Sequence, residues 1–256
     1  MLSIDVNCDM GESTTLWDYS IDKDFELLTN ISSANIACGY HAGDADTMRL
    51  LAEAALKNNV AVGAHPSFPD KGNFGRTNMS FSRQPIYEIV QEQIILLSDI
   101  LKTLGTRLHH VKPHGALYNM AARDKILADA ICAAVKEFDK EIILYGLSGS
   151  ELIKAGDEAG LRTCSEVFAD RTYQDDGSLT QRTEPNALIE DEDGAVKQVL
   201  QMVNKGTVLS ASGKEILLKA ETICIHGDGK HAIEFAKKIH QSLLENGITI
   251  RSNQAE

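Results

Sequence analysis

HHVKPHGALYN, residues 109–119, decides how the rest of the chain is read. Its apolar lead-in reads as a strand and delivers a lysine and a histidine two residues apart, Lys112 and His114. On a strand, side chains at i and i+2 share a face, so the two are expected to point the same way. Pro113 lacks an N–H and suits a strand edge or end. Gly115 lets the backbone turn, and a helical pattern begins at once. A cation and a titratable ring thus stand together at the carboxyl end of a strand, where parallel α/β proteins gather their active sites. The same residues also fit a solvated loop whose histidine caps the next helix. The functional reading gains weight because the pattern recurs along the chain.

Before this stretch lie three strand patterns. Residues 2–9 alternate Asp5, Asn7 and Asp9 against Ile4, Val6 and Cys8. Residues 33–39 are small and apolar and lead into YHAGD, and 60–64 run into His65-Pro66. Helical patterns fall at 22–31, 46–58 and 85–104. The second puts Met48, Leu51, Ala52, Ala55 and Leu56 on one face, and the third has Pro85 near its start and Gly105 just past its end. Residues 69–82 form a polar loop. After the central stretch come a helix at 124–138, a strand at 141–146, a helix at 150–159 stopped by Gly160, and a strand at 161–168. An irregular polar segment, 171–192, precedes a helix at 195–204, a small excursion or hairpin at 208–219, a strand at 222–226, a helix at 231–246 and a short strand at 248–251. Alternation of this kind, with right-handed crossovers, gives a parallel sheet covered by helices. Short strands ending in polar residues favour an α/β fold of the (β/α) barrel type, TIM-like with about seven strands, over an open sheet. No linker or repeat interrupts the chain, so one domain over 1–256 is expected.

If the strands are parallel, their polar ends meet at one mouth. Strand one contributes Asn7 and Asp9; strand two, His41 and Asp44; strand three, His65; strand four, Lys112 and His114; strand six, Glu166 and then Asp170 and Arg171; strand seven, His226 and Asp228. With His109 or His110 at the entrance to strand four, five of the eight histidines lie at or near strand ends, while His231 and His240 read as helix-surface residues.

Composition narrows the function classes. The formal charge of −12 disfavours nucleic acid and anionic membranes as partners, although a local cationic pocket for a small anion is compatible with it. No segment reads as a signal peptide or approaches the apolar length of a membrane span. The five cysteines are odd in number and lack CxxC spacing, which points to neither a disulfide framework nor a thiolate zinc site and suits a reducing cytoplasm. No GxxxxGK[ST] and no GxGxxG after a strand is present, so the chain shows no nucleotide cradle of the known kinds.

Three chemistries could use the mouth. The first is hydrolysis of an amide or lactam, with Asp9 or Asp228 as general base, His65, His114 or His226 as proton carriers and Lys112 facing developing negative charge. The second is metal-assisted hydrolysis with Asp and His ligands drawn from separate strand ends. No HExxH spacing supports it, and no ligand set is assigned. The third is attack by Cys8 or Cys38, although free cysteines are more often buried small hydrophobes.

Six segments taken in order resemble the LamB/YcsF family, the A subunits of prokaryotic 5-oxoprolinases: DVNCDMGES (5–13), SANIACGYHAGD (33–44), GAHPSFPD with FGR (63–70, 74–76), HVKPHGALYN (110–119), SEVFADRTYQDDGSL (165–179) and HGDG (226–229). The resemblance implies a seven-stranded (β/α) barrel related to polysaccharide deacetylase-like hydrolases. It implies opening of 5-oxo-L-proline to L-glutamate with ATP hydrolysed to ADP and phosphate, in company with subunits B and C. On that reading Asp9, His65, Lys112, His114, His226 and Asp228 are the catalytic candidates, and Asn7, His41, Asp44, Arg76, Glu166 and Arg171 bind substrate. The guanidinium groups of Arg76 and Arg171 match a carboxylate bidentately. ATP is expected to be used with the partner subunits. The competing readings are a metal-dependent deacetylase or amidohydrolase acting alone, and a substrate-binding subunit without chemistry of its own.

Overall fold

Alternating strands and helices wind the chain into a closed barrel. The computed structural model describes residues 2–13, 20–225 and 232–253. In chain order the elements are β1 (Ser3–Met10), α1 (Ile21–Leu27), β2 (Ser33–Ala37), α2 (Ala45–Lys57), β3 (Ala61–His65), α3 (Arg83–Thr103), β4 (His110–Val111), α4 (Gly115–Ala121), α5 (Lys125–Phe138), β5 (Ile143–Leu147), α6 (Glu151–Ala159), β6 (Arg162–Phe168), α7 (Glu192–Lys205), β7 (Thr207–Leu209), β8 (Glu215–Leu217), β9 (Thr222–Ile225), α8 (Ala232–Glu245) and β10 (Thr249–Ile250). Strands β1 to β6 pair in sequence, all parallel, and β9 joins β6 to β1, closing seven strands into a ring. β10 lies parallel to the start of β1, outside the ring. β7 and β8 form an antiparallel hairpin, one of the two alternatives read for 208–219, starting one residue earlier at Thr207.

Local chemistry sets the helix limits. Asp124, Ser150 and Asp191 each turn a side-chain oxygen onto a backbone N–H in the first turn of α5, α6 and α7, which satisfies donors that helix geometry leaves unpaired. Gly160 and Gly206 end α6 and α7 in the left-handed region. Helix α3 buries Ile86, Val90, Ile94, Leu97 and Leu101. Their spacing of three and four residues makes one apolar stripe against the barrel, each side chain contributing roughly 1.5–3 kcal/mol by its removal from water.

The inside of the ring is polar at its base. Asp5 on β1 accepts from the hydroxyls of Ser32 (2.6 Å), Ser33 (2.8 Å), Tyr145 (2.9 Å) and Thr222 (2.6 Å). Burial nonetheless raises its pKa, outweighing the four donors. One layer up, Asn35 of β2 donates to Asn7 and Asp9 of β1, and His110 of β4 holds the Asn35 oxygen at 2.7 Å and stacks on Tyr145. His109 and His110 therefore belong to the closed lower end of the barrel, not to its mouth; His109 bonds the Asn253 carbonyl. The imidazole of His110 occupies the space beside Gly63, where a Cβ would lie 2.2 Å from the ring. Gly63→Ala is therefore expected to lower the thermal midpoint by several degrees, through overpacking of order 1–3 kcal/mol; a melt matching that of the parent chain would refute this.

The central stretch differs from expectation in one respect. β4 holds only His110 and Val111, and Lys112, Pro113 and His114 continue as extended backbone. Lys112 N–H and His114 N–H still bond the carbonyls of Ala64 and Pro66, but Pro113 has no N–H to extend the ladder. His114 occupies the N-cap position of α4 without a side-chain cap bond, so its ring is left for the mouth.

Candidate active site

A cavity of about 690 Å³ opens at the carboxyl ends of the strands. Asp9, His65, Lys112 and His114, four of the six catalytic candidates, line it. The other two, His226 and Asp228, lie outside the described residues. Of the substrate-binding candidates, Arg76 and Arg171 line the cavity, whereas Asn7, His41, Asp44 and Glu166 do not. Asp44 is exposed and caps α2, its carboxylate accepting from Thr47 N–H at 2.8 Å. A helix cap, not a ligand, accounts for that acid. Asn7 and Glu166 lie beneath the floor, fully buried.

Lys112 ties the floor together. Its ammonium bonds Asp9 Oδ1 at 2.8 Å, Asn7 Oδ1 at 3.0 Å and Cys224 Sγ at 3.1 Å, and Glu166 Oε1 lies 2.8 Å away as a charge contact off those directions. The other Glu166 oxygen accepts from Tyr118 at 2.6 Å. Burial by itself would lower the Lys112 pKa, yet Asp9, Cys224 and Glu166 hold it well above the ordinary lysine value. At the cavity floor the Lys112 ammonium thus bridges two carboxylates, Asp9 and Glu166.

Beside this group stands a cluster around Glu12. Its Oε1 lies 3.1 Å from His41 Nε2, 3.1 Å from His114 Nδ1 and 3.6 Å from His65 Nε2, and His114 Nδ1 lies 2.9 Å from His65 Nε2. The rings of His41 and His114 stack at 3.8 Å. All four residues are buried. Burial opposes the charge on Glu12, but His114 and His41 hold its pKa below the carboxylate range. Burial, with His114 adding to it, pulls His41 down to about 3. For His65 burial acts in the same sense, yet Asp9 and Glu12 hold its pKa above the usual histidine value. His65 Nε2 also lies 3.3 Å from Asp9 Oδ2, which joins the two groups. Glu12 escaped the sequence reading because it lies beyond Gly11, outside the strand alternation that marked Asn7 and Asp9. The signal available was an acid directly after a glycine at a strand end; Gly11 has φ +73°, and the chain turns there.

The upper wall is basic. Arg76, Arg123, Arg171 and Arg182 all border the cavity, against the acidic balance of the whole chain. Arg171 donates to the carbonyls of Thr180 (2.6 Å) and Ala187 (3.4 Å), shaping the loop that carries Arg182. Burial and the neighbouring Arg182 charge lower its pKa to about 10. The guanidinium of Arg76 lies 4.8 Å over the Phe74 ring. The cysteine reading finds no support: burial pushes Cys8 well up and Cys38 to about 12, far from a thiolate at neutral pH. The arrangement offers a carboxylate and clustered imidazoles at the floor and cations at the rim. That is equipment for moving protons on a small anion held in place.

Comparison with known proteins shows the family and the fold. The LamB/YcsF family model matches residues 4–256. The 5-oxoprolinase A subunit of Tolumonas auensis is 54% identical over 252 residues, covering 98% of this chain and 100% of that one. The protein of the same name from Bacillus subtilis is 52% identical over 250 residues, covering 98% and 96%. Among solved structures, the lactam utilization protein from Thermus thermophilus superposes with a TM-score of 0.91 at 40% identity, over 98% of this chain and all of that one. The catalytic domain of a peptidoglycan N-acetylglucosamine deacetylase from Eubacterium rectale shares the fold, with a TM-score of 0.52 at 13% identity over 98% and 88%. Among the described residues no helix is long and apolar enough to cross a membrane.

Proposed function

The chain belongs to the LamB/YcsF family, and from that premise we propose that it is the ring-opening A subunit of an ATP-dependent 5-oxoprolinase, acting with subunits B and C. The observation that carries the reading is the pairing of floor and rim in one cavity: Asp9 beside the histidine–glutamate cluster, with arginines above. The substrate, 5-oxo-L-proline, has a carboxylate for the arginines and a lactam amide for the floor.

An unstrained five-membered amide needs activation. Transfer of the ATP γ-phosphoryl group to the lactam oxygen releases ADP and leaves the ring carbon electrophilic. Water adds to that carbon, giving up its proton to Asp9. The C–N bond then breaks, and the proton returns from Asp9 to the departing nitrogen. The product is an acyl phosphate, which a second water converts to L-glutamate and phosphate. Asp9 is held for this work by Lys112 and Asn35 on Oδ1, which leaves Oδ2 turned toward His65. His65, which Asp9 and Glu12 hold above the usual histidine pKa, offers positive charge to the lactam oxygen. The sequence contains no phosphate-cradling loop, so we assign ATP binding to the partner subunits.

The test is glutamate release from 5-oxoproline and ATP in an extract lacking this chain, with and without purified chain added back. Restoration only with chain and ATP is expected. Equal release in both extracts would sink the proposal, and release by the chain alone without ATP would replace it with a stand-alone amidohydrolase. In the restored system Arg182→Ala is expected to raise KM for 5-oxoproline about tenfold with kcat kept, the effect of losing one charge-assisted bond of ~1.5 kcal/mol. An unchanged KM would remove Arg182 from the carboxylate site.

A further inference from the structure

We infer that Glu12, His41, His65 and His114 bind a divalent transition-metal ion of the zinc class at the cavity floor. The inference deepens the lactam-opening reading and rests on it for any part the ion plays in turnover, but binding itself can be read without substrate.

The first support is the direction of the ring protons. His65 Nδ1 lies 2.7 Å from the Lys112 carbonyl oxygen and His114 Nε2 lies 2.9 Å from that of Phe74. A carbonyl only accepts, so each of these nitrogens carries a proton. His41 Nδ1 lies 2.9 Å from Ser67 Oγ, whose own proton goes to the Phe68 carbonyl, so His41 Nδ1 is also a donor. Gln93 fixes Ser67 from both sides, accepting from its N–H and donating to its carbonyl. In neutral rings the opposite nitrogens then present lone pairs, and all three face Glu12 Oε1. Four acceptors face one another inside the protein, at 2.9, 3.1, 3.1 and 3.6 Å. Unpaired acceptors at such range repel and are costly when buried. A proton on His65 Nε2, which Asp9 and Glu12 favour, relieves the contacts at 2.9 and 3.6 Å but leaves the two at 3.1 Å between Glu12 and His41 and His114; a divalent cation at the centre relieves them all.

The second support is geometric. The four ligand atoms lie within 4.8 Å of one another. Tetrahedral bonds of about 2.0–2.1 Å place neighbouring ligand atoms about 3.3 Å apart, close to the four separations of 2.9–3.6 Å among the six pairs. Three imidazoles and one carboxylate suit zinc, and also iron, cobalt or nickel, better than magnesium or calcium. Each ring is held by its far N–H on a carbonyl or hydroxyl, the outer-shell arrangement that fixes tautomer and orientation in metal sites. Glu12, His65 and His114 border the cavity, which gives an entry path and places the ion's charge beside Asp9.

The experiment uses the purified full chain after chelator treatment and dialysis. Zinc chloride is titrated by calorimetry, and cobalt(II) by its visible spectrum. One equivalent of zinc is expected, along with a rise in thermal midpoint and the strong visible bands of four-coordinate cobalt with nitrogen and oxygen ligands. His41→Ala and Glu12→Gln are each expected to weaken zinc binding at least a hundredfold, while His240→Gln, half-buried on α8 with its ring on the Asn30 carbonyl, leaves it unchanged. If the ligand variants fail to fold, the parent chain decides alone: no stoichiometric zinc and no four-coordinate cobalt spectrum overturns the inference. Zinc binding that survives His41→Ala and Glu12→Gln in folded protein overturns it equally. Glutamate restored by a chain that binds no metal would defeat this inference and leave the lactam reading standing; stoichiometric metal in a chain that restores no glutamate would do the reverse.

Discussion

Replacing Lys112 with methionine is expected to destabilise the fold by about 3–5 kcal/mol. Methionine keeps much of the apolar stem and removes only the ammonium. Asp9 and Glu166 are then two buried carboxylates without their shared cation. Glu166 has no exposure at all and cannot turn to water. Urea unfolding should show a lower midpoint with unchanged slope, the sign of lost stability without a change in compactness. Adding Glu166→Gln to Lys112→Met removes one of the stranded charges and is expected to recover part of the loss, a non-additivity that residues in one network display. A Lys112→Met shift below 1 kcal/mol would mean that the floor does not depend on this ion pair.

Asp9→Asn should separate stability from chemistry. The amide keeps an oxygen for Lys112 and Asn35 and nearly the same volume, so the chain is expected to fold with a melting point close to the parent's. Its side chain no longer accepts a proton. Glutamate release by the assembled enzyme is expected to fall between a hundredfold and ten-thousandfold, the usual range for a lost general base, with KM for 5-oxoproline little changed. A folded Asp9→Asn chain keeping more than a tenth of the parent turnover would move the base elsewhere.

The barrel was legible because its signals are local and repeated. Apolar runs, separated by helices with capping acids and terminal glycines, leave little choice but a parallel sheet covered by helices, and the short strands ending in polar residues favour closing it into a ring. The mouth was legible in part. Asp9, His65, Lys112 and His114 follow or end strands, and strand direction alone carries them to the cavity. What sequence could not decide was which polar residue near a strand end serves the backbone. Asp44 looks like Asp9 in composition, yet it precedes a helix and caps it. His110 looks like His114, yet it lies at the start of its strand and fills the barrel base. Glu12 stood outside any alternation, because Gly11 breaks the strand and turns the chain. The Glu12–histidine cluster joins residues up to 102 positions apart in sequence (Glu12 to His114), and no spacing motif can announce such a set.

The buried Asp5 carboxylate also bears on how the chain folds. Its four hydroxyl partners lie 27, 28, 140 and 217 residues away along the chain. During synthesis the first strand emerges long before Thr222 exists. Until β9 docks between β6 and β1, the sheet keeps two open edges and this acid lacks one of its donors. Contacts of such long reach form slowly, because the loops they close must first lose their freedom. Barrel closure is thus a late event, and until it occurs the nascent chain presents unpaired strand edges to its neighbours. A slow final folding phase, sensitive to substitutions at Thr222, follows from the same few hydrogen bonds that seal the base of the barrel.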